Sequence, residues 1–301
     1  MPDPVLTSPT SPETSMSKST GKEKRSDKKK ARQTTGELHR LQPGSSVKLA
    51  DCSTRGRDFR NDRDAAEAEF IELREELIEL QRRLYAEGQR KLLVVLQAMD
   101  AGGKDGTIRH VFRGVNPQGV RVTSFKQPTN IELEHDFLWR IHKAVPQAGM
   151  IGIFNRSHYE DVLVVRVEDI VPEDVWQQRF EHINNFERHL SDSGTTILKF
   201  FLHISKDEQQ QRFNDRLSNP DKRWKFSEQD LVKRRDWERY VPAFEEALTR
   251  CNTQWAPWFV IPSDQKWYRN LAIARVIVDT LKTMDPQYPD PRIDTDADEI
   301  Q

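Results

Sequence analysis

The chain has 301 residues with 47 Lys/Arg against 48 Asp/Glu, enough for one large domain or two small ones around a sizeable core. A hydrophobic share of 36% with seven Trp and fourteen Phe supports a folded body, while 32% charged residues and a mean hydropathy of −0.80 give it a soluble, charged surface. No run reaches the ~20 apolar residues of a membrane span, and no apolar segment follows the basic residues near the start as in a secretory signal, so a cytoplasmic protein without a membrane partner is expected.

Residues 1–45 carry nine Lys/Arg against five Asp/Glu and are rich in Ser, Thr, Pro and Lys without apolar periodicity. They read as a disordered basic arm, either a solvated tail or a contact for a polyanion. From Asp64, Phe70, Leu73, Leu77, Leu80 and Leu84 step by three and four along one stripe, which predicts a long amphipathic helix ending near Gly88. Apolar runs of strand length then alternate with helical stretches: Leu92 to Leu96, Val120 to Phe125, Met150 to Phe154, Thr196 to Ile204 and Trp258 to Ile261. Runs buried on both faces and separated by helices predict a parallel five-stranded sheet in a three-layer α/β domain over 46–284. Residues 285–301, with one Arg against six acids, read as an acidic flexible tail. Cys52 and Cys251 are too few for a disulfide framework and lack metal-ligand spacing, so both read as reduced structural thiols.

The first strand runs straight into Gln97-Ala98-Met99-Asp100-Ala101-Gly102-Gly103-Lys104-Asp105-Gly106 and then into a helical pattern. This is the context of a phosphate-binding loop, in which backbone N–H groups and a helix N-terminus surround phosphate oxygens and the lysine reaches the transferring group. Ala101, Gly102, Gly103, Lys104, Asp105 and Gly106 are therefore candidate phosphate binders. Two positions depart from the usual pattern: Ala98 replaces the first Gly, and Asp105 replaces the Ser/Thr that normally meets magnesium. Asp100 would repel phosphate unless a divalent cation stood between them, so it reads as the metal organiser.

The third strand ends in Asn155-Arg156-Ser157-His158-Tyr159-Glu160-Asp161, at the sheet edge where α/β proteins place ligands. Asp161, or Glu160 with it, reads as a second magnesium ligand; Arg156 and Arg166 read as neutralising charge on a transferred phosphoryl group. His158 reads as a hydrogen-bonding scaffold. A basic stretch holding Arg212, Arg216, Lys222, Arg223, Lys225, Lys233, Arg234 and Arg235 suits a lid over phosphates at about 205–235, with Arg216, Lys222, Arg223 and Lys225 as candidate polyphosphate contacts. After the second strand, Lys126, with Arg113 and Asn116 nearby, is placed to meet a nucleotide acceptor's phosphate.

Met99 to Thr107, Gly114-Val115-Asn116-Pro117, Phe154 to Leu163, Asn219 to Phe226 and Trp267-Tyr268-Arg269-Asn270 together resemble the polyphosphate kinase 2 family. The resemblance spans about residues 60–284. It implies a P-loop kinase fold like that of thymidylate kinase, with a helical lid, and magnesium-dependent, reversible transfer of a phosphoryl group from inorganic polyphosphate to a nucleotide. Asn155 and Glu160-Asp161 resemble the subgroup acting on both AMP and ADP, which implies ADP and ATP as products, with guanine nucleotides as further candidate acceptors. Carried onto this chain, Asp100 and Asp161 hold Mg2+, Lys104 the phosphates and Arg156 the transferring group, while Asn155 and Glu160 join the nucleotide site. A homo-oligomer, dimer or tetramer, is implied as well. Two alternatives stay open: an ATP-dependent nucleoside monophosphate kinase, and a nucleic-acid-binding protein using the arm and lid.

Overall fold

A computed structural model describes residues 37–224, 226 and 228–290. Helix α1 (Arg63–Glu87) starts where the Asp62 side chain accepts from Ala65 N, and it stops at Gly88, whose left-handed φ of 66° lets its N–H reach Leu84 O. Leu73, Leu77 and Leu84 are buried, and Phe70 and Leu80 pack partly buried against the same core.

All five predicted strands form, and all are parallel. They are β1 (Lys91–Ala98), β2 (Val120–Ser124), β3 (Ile151–Asn155), β4 (Thr195–His203) and β5 (Trp258–Pro262), in the order β2-β3-β1-β4-β5. Alternation along β1 splits the interior. Leu92, Val94 and Leu96 face a core shared with α1 and the last helix, whereas Leu93 and Val95 face one built with the helices after β3. The intervening helices are α2 (Lys104–Val111), α3 (Asn130–Leu133), α4 (Trp139–His142), α5 (Glu160–Val167), α6 (Glu173–Asp192), α7 (Lys206–Ser218), α8 (Pro220–Arg223), α9 (Glu228–Arg235), α10 (Trp237–Arg250) and α11 (Lys266–Met284). The helices α7 to α9 occupy the segment predicted as the lid. Among the described residues, no helix is long and apolar enough to cross a membrane.

The structure differs from the sequence reading at the end of the basic arm. Residues 37–45 are not loose: Leu41 N donates to Trp258 O (2.9 Å) and Val260 N to His39 O (2.9 Å), so the segment covers the outer edge of β5. An open strand edge offers unpaired backbone groups, and a short partner satisfies them more fully than water does. Residues 1–36 of the arm, residues 291–301 of the acidic tail, and Lys225 lie outside the described residues.

Candidate active site

The turn from β1 into α2 is built on backbone conformations that crowd the loop. Ala101 has φ 60° and Gly103 φ 103°, and a Cβ on Gly102 would overlap the Ala98 side chain. Gly103 caps α2 without any side-chain bond, which leaves the helix N-terminus open to an anion. Lys104, the first residue of α2, is 9% exposed, and its Nζ donates back to Ala98 O at 3.0 Å. Burial, reinforced by the Arg156 charge, pulls its pKa down to about 8 against the opposing pull of Asp100, Glu160 and Asp105.

Asp100 stands between cations from two other elements: Arg156 Nη2 at 2.9 Å and Lys233 Nζ of α9 at 3.9 Å. Burial works to raise its pKa, but the charges of Lys104, Arg156 and Lys233 outweigh that and hold the carboxyl below its ordinary value. Arg156 follows β3 in a left-handed conformation (φ 62°), with its N–H on Leu96 O at 3.1 Å, and this turns its side chain toward Asp100. Glu160, at the start of α5, faces the same cleft. Buried Gln97 of β1 fixes it, donating to Glu160 Oε1 (3.1 Å) while its amide oxygen accepts from Ser157 N (3.2 Å) in the amide orientation that satisfies both neighbours. Asn155 Nδ2 donates to Asp105 Oδ1 at 2.7 Å, tying the end of β3 to the first turn of α2. Helix α7 reaches the loop backbone through Gln209, which donates to Asp100 O (2.9 Å), and Arg212, which donates to Ala101 O (2.9 Å). Tyr240 of α10 closes the cleft, its phenol pushed above the ordinary value by burial.

The structure thus brings Asp100, Lys104, Asp105, Asn155, Arg156 and Glu160 together around Ala101 to Gly106. Other predicted residues fall elsewhere. Asp161 does not meet Asp100: successive helical residues point about 100° apart, and with Glu160 on the cleft its neighbour turns toward Arg179 (3.4 Å) and Arg140 (3.7 Å). Burial pushes the Asp161 pKa up against the pull of those two arginines. Arg166 lies near the far end of α5, bonded to Glu246 at 2.6 Å and stacked over Trp176. Asn116 serves the turn before β2, accepting from Gln118 N (3.1 Å) while its own N–H meets Gln81, so it sits at the amino ends of the strands. Exposed Arg113 precedes that turn, past the end of α2. Lys126 lies beyond the carboxyl end of β2, its carbonyl held by Arg140 at 2.8 Å. In the segment from α7 to α9, Arg216 pairs with Asp230 at 3.8 Å, Arg223 Nε donates to Leu217 O at 3.2 Å, and Lys222 is exposed.

Sequence reasoning missed Gln97, Gln209, Tyr240, Arg140 and Arg179. None stands in a recognisable spacing; each reaches the site through tertiary packing. The carboxylates suit a hard divalent cation: Asp100 and Glu160 offer oxygen donors to one cleft, and the cations around Asp100 keep it ionised. Among the described residues no group of three or more His, Cys, Asp or Glu gathers, so phosphate oxygens and water would complete any coordination.

The model of the family described as polyphosphate kinase 2 matches residues 60–289. The chain is 59% identical over 233 residues to the AMP/ADP-polyphosphate phosphotransferase of Meiothermus ruber, covering 77% of this chain and 87% of that protein. It is 46% identical over 228 residues to the ADP-polyphosphate phosphotransferase of Rhodopseudomonas palustris, covering 72% of this chain and 79% of that one. The crystal structure of polyphosphate kinase 2 from Arthrobacter aurescens TC1 superposes with a TM-score of 0.84 at 40% identity, over 88% of this chain and 95% of that chain. With an aligned fold, a matching family model and a phosphate loop that carries its own carboxylate, the chain belongs to the polyphosphate kinase 2 family.

Proposed function

We propose that the protein transfers a phosphoryl group between inorganic polyphosphate and adenine nucleotides, accepting both AMP and ADP. The observation that carries this reading is the convergence of Asp100, Arg156 and Glu160 on one cleft at the carboxyl edge of the sheet, with buried Lys104 near enough for their charges to act on it. The relative from Meiothermus ruber, named for both AMP and ADP, supports the dual acceptor range. Guanine nucleotides as further acceptors and assembly into a homo-oligomer belong to the same proposal.

The donor phosphates lie along Ala101 to Gly106, where the backbone N–H groups of the uncapped α2 N-terminus receive them. Lys104 then exchanges its bond to Ala98 O for a phosphate oxygen. Arg156 shifts from Asp100 toward the transferred group and takes up charge that develops in transfer. Asp100 and Glu160 would hold a divalent cation, for which we propose magnesium; bound there, it would neutralise phosphate charge and orient the reacting groups. The acceptor approaches from the Lys126 side, where Arg140 and Arg179 surround Asp161 and Asn155 borders the loop. Its phosphate oxygen is already anionic at neutral pH, so it attacks without a general base.

The test is incubation with polyphosphate and either ADP or AMP, with and without magnesium, alongside ATP as donor to AMP. ATP formed from ADP and ADP formed from AMP, both lost without the metal, are the expected results. Absence of either product from polyphosphate, or a donor preference for ATP with AMP, overturns the reading.

A further inference from the structure

Arg269 lies in the first turn of α11 and is 2% exposed, yet no carboxylate lies within ion-pairing distance of it among the described residues. Among the described residues its side chain donates to neutral Asn270 Oδ1, from Nε at 3.2 Å and Nη2 at 2.9 Å. Nη1 makes none among the described residues and points at the phosphate loop, where a Cβ on Gly103 would overlap it. Nη2 lies 3.5 Å from the corresponding point on Gly106, so the guanidinium runs flush along the first turn of α2. A second guanidinium stands beside it. Arg212 Nη1 is 3.4 Å from the same point on Gly103, and Arg212 is anchored on Ala101 O, Ser263 O and the Glu208 carboxylate.

Two buried cations therefore back one loop, with Glu208 as the carboxylate that answers Arg212. The open N-terminus of α2 adds positive partial charge at the same place. Burial and the Arg212 charge pull the Arg269 pKa down to about 9 against the opposing pull of Glu208, and burial with the Arg212 charge lowers that of nearby Lys266 against Glu208 and Asp215. A buried charge without its opposite is costly, and a like charge beside it adds to the cost. Among the described residues Glu208 alone opposes the two charges, and it is bonded to Arg212, so Arg269 has no ion pair of its own, while the other side of the loop is the seat for donor phosphates.

We propose that Arg269, with Arg212 beside it, is a positioning residue for the polyphosphate donor: a fixed positive charge behind the loop that the bound chain neutralises through Gly103. The inference rests on the function proposed above and extends it. Gly103 is the residue that allows it, since any side chain there would push the guanidinium away from the loop. The unliganded protein holds a repulsion that Glu208 offsets only in part and that phosphate binding relieves, so donor affinity and unliganded stability oppose each other at this position.

That opposition separates the proposal from a packing role. Calorimetric titration of the full chain with tripolyphosphate and, separately, with ADP is combined with thermal unfolding without ligand, for wild type, Arg269→Met and Arg269→Lys. The Met variant is expected to bind tripolyphosphate about tenfold more weakly, with ADP affinity within about twofold and an unliganded melting temperature at or above that of wild type. The Lys variant, which keeps the charge, stays within about threefold of wild type for tripolyphosphate. Unchanged tripolyphosphate affinity in Arg269→Met overturns the inference, as does a lowered melting temperature with parallel loss of both ligands. A wild-type protein that neither binds nor uses polyphosphate overturns the proposed function and this inference together.

Discussion

Lys104 and Asp100 are opposite charges kept four residues apart on a loop that must accept anions, and burial treats them differently. Asp100 has Arg156 and Lys233 as well as Lys104 to hold it ionised, whereas Lys104 gives up solvent and gains a carbonyl. Its ammonium is therefore the more easily lost: the pKa of about 8 lies below the ordinary 10.5. Between those two values the unfolded chain keeps a proton that the folded protein releases, so this group makes stability rise with pH across that window. Donor binding runs the other way. Titrating polyphosphate affinity from pH 7 to 9.5 should show a decline through about pH 8 in wild type, and the decline should be missing in Lys104→Met. The Met variant should also transfer phosphate about 10²–10³-fold more slowly, the loss typical of one charge-stabilising donor. A pH profile shared by the two proteins would remove Lys104 from the phosphates.

At the scale of elements, the β3–α5 connection is held from beneath by a charge network in the core. Lys199, in the middle of β4, is fully buried and donates to Tyr159 OH (2.7 Å), Glu187 Oε2 of α6 (2.6 Å) and Cys251 O (2.7 Å). Glu187 Oε1 also bonds His158 Nε2 (3.1 Å) and accepts from Tyr159 OH (2.9 Å), so the two residues before Glu160 are locked to both flanking elements. Burial works to raise the Glu187 pKa, but Lys199 and His158 outweigh it and hold it low. Removing one partner strands a buried charge, so Lys199→Met should cost about 3–5 kcal/mol in urea unfolding. Lys199→Met with Glu187→Gln should regain part of that loss, because the amide still accepts from His158 and Tyr159. A double variant no more stable than the single one would refute the network's role. The strands themselves were legible in the sequence, since runs such as Leu92 to Leu96 are buried on both faces and only a doubly covered sheet does that. The scaffold role of His158 was legible too. Lys199 was not, because one lysine inside an apolar run shows its partners only after β4 is laid beside α6.

Across the whole molecule, the segment before α1 runs from the outer edge of β5 past the carboxyl ends of β4 and β5, where His203 Nε2 meets Leu49 O at 3.1 Å and Asp264 N donates to Thr54 O at 3.0 Å. Residues at the ends of β1 and β3 announced themselves by massed polar types after apolar runs, and of these Asp100, Arg156 and Glu160 line one cleft with Lys104 beside it. The facing of Asp161, the far position of Arg166 and the turn role of Asn116 depend on helix phase and strand direction, which residue types alone do not carry. The segment before α1 was hidden for the same reason, its few apolar residues lying among polar ones. His39 seats it: its Nε2 bonds Tyr268 OH at 2.8 Å, and its ring meets Phe59 and Tyr268 edge-on. Burial, with the Arg275 charge, lowers the His39 pKa from 6.5 to about 4. From pH 6.5 down to 4 the unfolded chain takes a proton that the folded protein refuses, so stability falls on acidification through that window, by up to about 3 kcal/mol from this residue. Urea unfolding at pH 7.5 and pH 4.5 should therefore show a smaller acid loss in His39→Gln than in wild type, even though the variant is less stable at the higher pH. An identical acid loss in both would mean that the segment carries a charged His39 and is not sealed against β5.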